Sequence, residues 1–429
     1  MIRSPALLGG LLASLALLAG CATGNTPVES RPSPRLPPPV EPTLPTRPFP
    51  APDIPRPIPQ TVPAQPPAAA PPLPQKPPQI AAPATYLGER EGRALVARFI
   101  PPGAKDRDGW AADIFTAFST LRIPPTPDNI CAAIAVIEQE SSFQADPAVP
   151  GLSHIVWKEI DNRRERVHLP KLLVDTAFLK TSPDGRSYKA RVDALRTEKQ
   201  MNALFEDMIS ELPNGKSLLG GYNPVRTGGP MQVSVAFAEE QVREKPYPYP
   251  RQGSVRTEVF TRRGGVYFGI AILLDYPAPY GKILYRFADF NAGRYSSRNV
   301  AFQNAVVRLS GQPMALDGDL LRYVDGAPST EPSTTLTTLQ SIAGRLGMSR
   351  ADIARDLRLE KTWQFAQTPL YAKVFALAEA SGARLPREML PQIDLKSPKI
   401  QRKLTTAWFA ERVDGRHRTC LGRNLSALP

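Results

Sequence analysis

The chain has 429 residues, 49 of them Pro and only three Cys, and it carries a formal net charge of +13. This length allows two or three domains with a sizeable core, and so few cysteines exclude a small disulfide-dense scaffold. The excess of cations suits a polyanionic partner or simply a soluble surface.

The first twenty residues, "MIRSPALLGGLLASLALLAG", place Arg3 before an apolar run that ends at Leu18. That run is too short to span a bilayer and has the form of a secretory signal peptide. Leu18-Ala19-Gly20-Cys21 resembles the bacterial lipoprotein signal, which implies that residues 1–20 are removed and that Cys21 carries the lipid. Ala22 stands where an Asp would imply retention at the inner membrane. The expected location is therefore the periplasmic face of the outer membrane. No other segment is long and apolar enough to span, and "GVYFGIAILLDY" reads as a buried helix. An exported chain rarely meets nucleic acid, so no nucleic-acid partner is expected. Peptidoglycan, whose stem peptides bear carboxylates, is the better polyanion.

Residues 21–86 read as one linker, dominated from Arg31 to Tyr86 by Pro, Ala and Gln, as in "RPSPRLPPPVEPTLPTRPFP". Pro fixes φ and removes a backbone donor, so this stretch predicts a disordered, polyproline-II-rich tether. Roughly 55 such residues could reach on the order of 170 Å if fully extended. SH3-type recognition of the same stretch has little place outside the cytosol.

The globular part begins near Leu87. "EREGRALVARF" and "DRDGWAADIFTAFSTLRIP" predict two helices, followed by "TPDNICAAIAVIEQESSF". There Thr126 can cap, Pro127 suits the first turn, and Asp128 sits near the positive helix end. Ile130, Ile134 and Ile137 recur at helical spacing, with Glu140 on the flank of their stripe and Glu138 turned toward solvent. The two acids therefore do not form a pair. Residues 151–226 read as a charged insertion, with an amphipathic helix over "ARVDALRTEKQMNALFEDMISEL". Beyond it, "GGPMQVSVAFAEEQ" is a turn leading into a helix, "RRGGVYFGIAILLDY" an apolar helix, and 280–309 a helix, turn and helix. The region 311–429 is again mostly helical. In it, "LQSIAGRLGMSRADIARDL" predicts helix, Gly turn and helix, with a capping box from Ser349 to Asp352. It looks superficially like a DNA-binding helix-turn-helix, which export makes inappropriate. If Cys21 is acylated, Cys131 and Cys420 remain, either as a disulfide or as two buried thiols.

No phosphate-binding loop, serine elbow or S-x-x-K motif appears. None of His154, His168 and His417 stands at metal-ligand spacing. No cofactor or metal is expected.

Three fragments do stand out in order: Glu140-Ser141-Ser142-Phe143 at a helix end, Gly229-Pro230-Met231-Gln232-Val233, and Phe290-Asn291-Ala292-Gly293 after the "VYFGIAILL" helix. Together they resemble the lytic transglycosylases, relatives of goose-type lysozyme. The resemblance covers residues 130–143 and 228–306. The whole chain also resembles an uncharacterised lipoprotein family of Gram-negative bacteria. The first resemblance implies a mainly α fold: a lysozyme-like core over 87–310 carrying the 151–226 insertion, extended by the helical region 311–429.

It also implies cleavage of the bond between N-acetylmuramic acid and N-acetylglucosamine. A glycosidase normally needs two carboxyl groups. Lytic transglycosylases need one, which acts first as acid on the bridging oxygen and then as base on the sugar's own C6 hydroxyl, closing a 1,6-anhydro ring. Glu140 would be that group, with a pKa raised by burial beside Ile137, Phe143 and the Met231 segment. Ser141, Gln232 and Asn291 would contact the glycan, Met231 would lie beneath the sugar, Gly229 would let backbone approach, and Phe290 would line the cleft. Three positions depart from the family pattern. Phe290 replaces a Tyr, whose hydroxyl Tyr295 or Tyr267 would have to supply. Ser234 and Val235 stand where many relatives carry Met-Pro. About ninety residues separate Glu140 from Met231. Two other functions fit the same residues: a hydrolysing muramidase, needing an activating acid such as Asp289, and a non-catalytic glycan-binding or scaffold lipoprotein.

Overall fold

The computed structural model describes residues 87–425 apart from 279, 325–326, 381 and 396–402. The predicted signal peptide, the acylation site Cys21 and the Pro-rich tether lie outside the described residues. Within them the chain is mainly helical, with three two-stranded antiparallel pairs. Among the described residues no helix is long and apolar enough to cross a membrane.

The helices are, in chain order, α1 (Glu89–Phe99), α2 (Arg107–Leu121), α3 (Pro127–Glu140), α4 (Leu152–Arg166), α5 (Lys171–Phe178), α6 (Tyr188–Asp193), α7 (Glu198–Ser210), α8 (Gly215–Leu219), α9 (Val235–Glu244), α10 (Val255–Val259), α11 (Arg262–Leu274), α12 (Leu284–Ala292), α13 (Ser296–Ser310), α14 (Thr334–Ser341), α15 (Ala343–Leu346), α16 (Arg350–Leu357), α17 (Pro369–Glu379) and α18 (Thr406–Leu425). The strand pairs are β1 (Thr227–Gly228) with β2 (Val233–Ser234), β3 (Tyr323–Val324) with β4 (Ala327–Pro328), and β5 (Asp394–Leu395) with β6 (Leu404–Thr405).

Three hydrophobic clusters organise these elements. The first gathers α1, α2, α3, α11, α12 and α18. Helix α3 lies at its centre, because every residue from Ile130 to Ile137 is buried and the helix has no solvent face over two turns. Its start is fixed as the sequence indicates: Thr126 Oγ1 accepts from Asn129 N, and Pro127 fills the first turn. The second cluster belongs to the insertion, where Leu152, Val156, Phe178, Phe205 and Met208 pack together. The long helix predicted there breaks in two. Thr197 and Gln200 form a reciprocal capping box that starts α7 afresh after α6, and this local hydrogen bonding outweighs continuous periodicity. The third cluster joins α13 to α14 through α17. A division at residue 310 therefore cuts through a core, since Phe302, Val306 and Leu309 of α13 face Leu339, Ile353 and Val374. Gly347 ends α15 in a left-handed conformation, and Ser349 Oγ accepts from Asp352 N to start α16.

Helix α18 does not stay with the C-terminal helices. It returns to the first cluster, where Phe409, Ala410 and Val413 pack. Cys420 is joined to Cys131 of α3 with their Cα atoms 5.5 Å apart, and His417 Nε2 lies 3.2 Å from an Asp128 carboxylate oxygen. Arg416 and Arg423 reach Glu138 at 3.2 and 3.3 Å. Glu138 was expected to point to open solvent, and instead it is half-buried beneath α18. Its helical phase was read correctly, but periodicity cannot reveal a helix that arrives 280 residues later to cover the charged side of α3.

In the third cluster a completely buried acid, Glu360, holds the chain between α13 and β3. It accepts from Leu320 N, from Leu321 N at 3.2 Å and from Tyr323 Oη at 2.6 Å. Burial pushes its pKa up to about 7, against the pull of those donors and of Lys361.

Two outcomes are expected. A disulfide closing so long a loop should contribute about 2–5 kcal/mol. Cys420→Ala should lower the unfolding midpoint, and reductant should bring the unsubstituted protein down to that level without affecting the variant. A midpoint insensitive to reductant would remove the bond from the stability of the fold. For Glu360, the folded pKa exceeds the unfolded one. Its contribution is therefore fully present below pH ~4.5 and is lost as pH rises through about 7, a swing on the order of 3 kcal/mol. In urea titrations, the stability of the protein relative to Glu360→Gln should fall between pH 5 and pH 8. A constant difference would contradict the assignment.

Candidate functional site

The three sequence fragments meet around the first cluster. Ile137 and Phe143 flank Glu140, Met231 and Val233 flank Gln232, and Ala288 and Phe290 come just before Asn291. All six belong to the same packed group. The helix between the second and third fragments explains how they meet. On α11, Gly265 and Gly269 are four residues apart and present a face without side chains. A Cβ at Gly265 would lie 2.4 Å from Pro230 Cδ, and one at Gly269 would lie 2.3 Å from Met231 Sδ. The 229–232 turn is seated directly on helix backbone.

Glu140 is the last residue of α3 and is half-buried. Beyond it the chain turns sharply, with Ser142 and Phe143 both in the left-handed region (φ 50° and 62°). The turn brings the Phe143 ring against Trp110, edge to face, with centroids 5.2 Å apart. Trp110 in turn lies under Arg262, at the start of α11. The Ser141 side chain is buried, and its hydroxyl donates to Ile137 O at 3.0 Å. It closes the helix end and does not face a ligand.

The second fragment is the loop of the β1–β2 hairpin, whose register pairs Thr227 with Ser234 and Gly228 with Val233. Gly229 has φ 73°, and any Cβ there would strike Val259 O at 2.1 Å, so only glycine fits. Gln232 is also left-handed (φ 50°); its Nε2 donates to Gly229 O at 3.3 Å, and its side chain is half-buried at the loop end. Met231 is completely buried. It supports the turn from inside the core and has no open surface to offer a sugar. Ser234 is the N-cap of α9 and accepts from Phe237 N.

The third fragment ends α12. Phe290 is half-buried against the core, and Asn291 is exposed, with its Oδ1 accepting from Thr406 Oγ1 at 2.9 Å. The preceding Asp289 is completely buried. Its carboxylate accepts from Tyr276 Oη (3.0 Å), Tyr280 Oη (2.6 Å), Tyr295 N (2.8 Å) and Ser297 N (2.7 Å). Burial raises its pKa, opposed by those donors. Four donors surrounding a carboxyl without solvent access leave it nothing with which to activate water. The expectation that Asp289 could serve a hydrolysing muramidase is therefore corrected: it fixes the 290–297 turn and the start of α13. Nor is the Tyr267 hydroxyl available for the role expected of it, since its Oη donates to Pro246 O at 2.8 Å. Tyr295 packs between Tyr276 and Arg298, with φ 69°.

Backbone strain is concentrated here. Of the eight non-glycine residues with left-handed φ among the described residues, Ser142, Phe143, Gln232 and Tyr295 lie in or beside the three fragments. Each such residue costs about 1–3 kcal/mol and persists only where surrounding structure imposes it, a pattern that marks functional sites.

Sequence reasoning missed the residues of α18. Arg416 Nε donates to Gln139 Oε1 at 3.0 Å, next to Glu140, and Thr406 holds Asn291. No local signal connects a threonine to an asparagine 115 positions earlier. Glu89, Arg93 and Asp108 line a surface cavity of about 510 Å³, and Glu138, Arg412 and Arg416 line another of about 360 Å³. Glu140 lines neither. Among the described residues no cluster of His, Cys, Asp and Glu could hold a metal ion.

A family model described as a protein of unknown function (DUF1615) matches residues 103–423. The uncharacterized protein YaiW of Escherichia coli (strain K12) is 54% identical over 329 residues, covering 76% of this chain and 89% of that protein. No solved structure matches significantly. Since the family match runs across all three site segments and most of α18, the chain belongs to this family of unknown function, DUF1615.

Proposed function

We propose that the protein is a peptidoglycan lytic transglycosylase with a lysozyme-like core, anchored at the periplasmic face of the outer membrane through an acylated Cys21. The observation that carries the reading is the convergence of the three fragments on one core, with half of the left-handed non-glycine residues among the described residues concentrated at them.

In this reading Glu140 protonates the glycosidic oxygen between N-acetylmuramic acid and N-acetylglucosamine, and the bond to C1 breaks. The oxocarbenium-like centre is stabilised by the neighbouring acetamido group. Ionised Glu140 then takes the proton of the C6 hydroxyl as that oxygen attacks C1, so the proton balance closes on one residue. The burial of Asp289 favours this route over hydrolysis, because it removes the second carboxyl that hydrolysis would need. Gln232 and Asn291 supply amide groups to the glycan. Met231 and Ser141 act through packing and helix termination. A lipid anchor and a long Pro-rich tether would let the domain reach the wall from the membrane.

A second reading, glycan binding without cleavage, is favoured by one observation. Phe290 stands where the lytic transglycosylase pattern carries a tyrosine, and the Tyr267 hydroxyl is committed to Pro246 O. One experiment separates the readings. Purified protein acting on peptidoglycan should release 1,6-anhydromuramic products, and Glu140→Gln should reduce the rate by a factor of about 10² or more. Free reducing muramic acid would indicate hydrolysis instead. Binding with no product from either protein would favour the scaffold role, and equal product from both would remove Glu140 from the mechanism.

A further inference from the structure

We infer that the C-terminal helix α18 is a wall of the candidate glycan site, and that Thr406 at its start is the positioning residue that presents the Asn291 amide to an acetamido or hydroxyl oxygen of the sugar. This inference rests on the reading of the site as a glycan site.

An exposed asparagine can swap its amide oxygen and nitrogen by turning about χ2, so on its own it offers a donor and an acceptor with little preference. Asn291 is exposed, but its Oδ1 is engaged. Thr406 Oγ1 donates to it at 2.9 Å, and Thr406 is completely buried. That bond holds the plane of the amide, and with Oδ1 as the engaged atom the group left for a ligand is Nδ2, which carries two donors. Donors of this kind match the carbonyl of an N-acetyl group or a ring hydroxyl oxygen, the two acceptors that an amino-sugar chain repeats along its length.

Thr406 is itself held firmly. Its N–H donates to Ile393 O at 3.0 Å, and the residues before it pair through β6 with β5. Trp408 N is capped by Thr405 Oγ1 at 3.1 Å, and Phe409 and Ala410 anchor the next turn in the core. Ten residues on, Arg416 Nε donates to Gln139 Oε1, next to Glu140, and Cys420 is bonded to Cys131. One helix thus touches the last turn of α3 and the last turn of α12. It therefore helps to set the distance between the acid and the amide.

The test uses the full chain and peptidoglycan glycan strands freed of stem peptides, with variants Thr406→Val, Thr406→Ser and Asn291→Ala. Turnover and equilibrium binding are both measured, together with the thermal midpoint. Thr406→Val should raise KM and Kd about three- to tenfold while kcat stays within about twofold, the effect of one lost hydrogen bond. Thr406→Ser should restore KM and Kd, and adding Asn291→Ala to Thr406→Val should produce no further loss. A residue important only for packing would lower the midpoint without moving KM. That result, or fully additive effects of Thr406→Val and Asn291→Ala, would overturn the inference. Binding that weakens in Thr406→Val without any turnover would retire the transglycosylase reading and leave the inference standing. A protein that neither binds nor cleaves the strands would overturn both.

Discussion

The fit of the 229–232 turn on the bare face of α11 is the constraint on which the rest of the site depends. Gly265 and Gly269 leave no side chains there, so Pro230 and Met231 lie against helix backbone, and Gly229 passes Val259 O with no room for a Cβ. Close approach of this kind is stiff, because a methyl group inserted at 2.3 Å from Met231 Sδ must push the turn or the helix. The same helix carries Arg262 over Trp110, whose ring packs on Phe143, so the position of α11 is transmitted to the turn that follows Glu140. At its other end the α11 carbonyls of Ala271 and Ile272 accept from Arg294, one residue past the Phe290–Gly293 fragment. One helix thereby fixes all three fragments, and none needs to contact another for the geometry to hold.

Asp289 makes the second fixed point. A carboxyl with no solvent exposure, surrounded by two tyrosine hydroxyls and two backbone N–H groups, orients the turn between α12 and α13 in the way an N-terminal acid stabilises a helix. Its neighbour Asn291 is left at the surface, where Thr406 holds it. The two residues, separated only by Phe290, have opposite roles. The acid that a sequence reading would place in a catalytic pair is a structural anchor, and the neutral amide beside it is the group presented outward.

The sequence made the local features legible. The Thr126 cap, the apolar stripe of α3, the turn before α9 and the Gly347 turn all follow from short-range rules, because each is settled within a few residues. Helical class and the order of the three fragments were readable for the same reason. The layout of the C-terminal third was not. Cys131 and Cys420 left two possibilities open, and neither composition nor spacing could place α18 against α3, since that contact is decided by complementary surfaces 289 residues apart. Burial of Met231 and Ser141 was equally hidden, because a motif gives residue identity without the direction in which a side chain points. Asp289 was misread for the converse reason: its tyrosine partners at 276 and 280 are visible in the sequence, but only the fold turns both hydroxyls onto one carboxyl.

The placement of α18 also bears on how the domain is assembled. The first core lacks one side until the final helix closes it, and the chain reaches that point only after building the third cluster around α13. Ordering so long a loop before it gains contacts is entropically costly, and a covalent link from Cys420 to Cys131 offsets that cost in an oxidising compartment. The bond ends on the helix that carries Glu140, two turns and more from the acid itself. It therefore serves the site through the backbone of α3, holding the acid-bearing helix against the helix that orients Asn291, while leaving the end of α3 free to make the strained turn at Ser142 and Phe143.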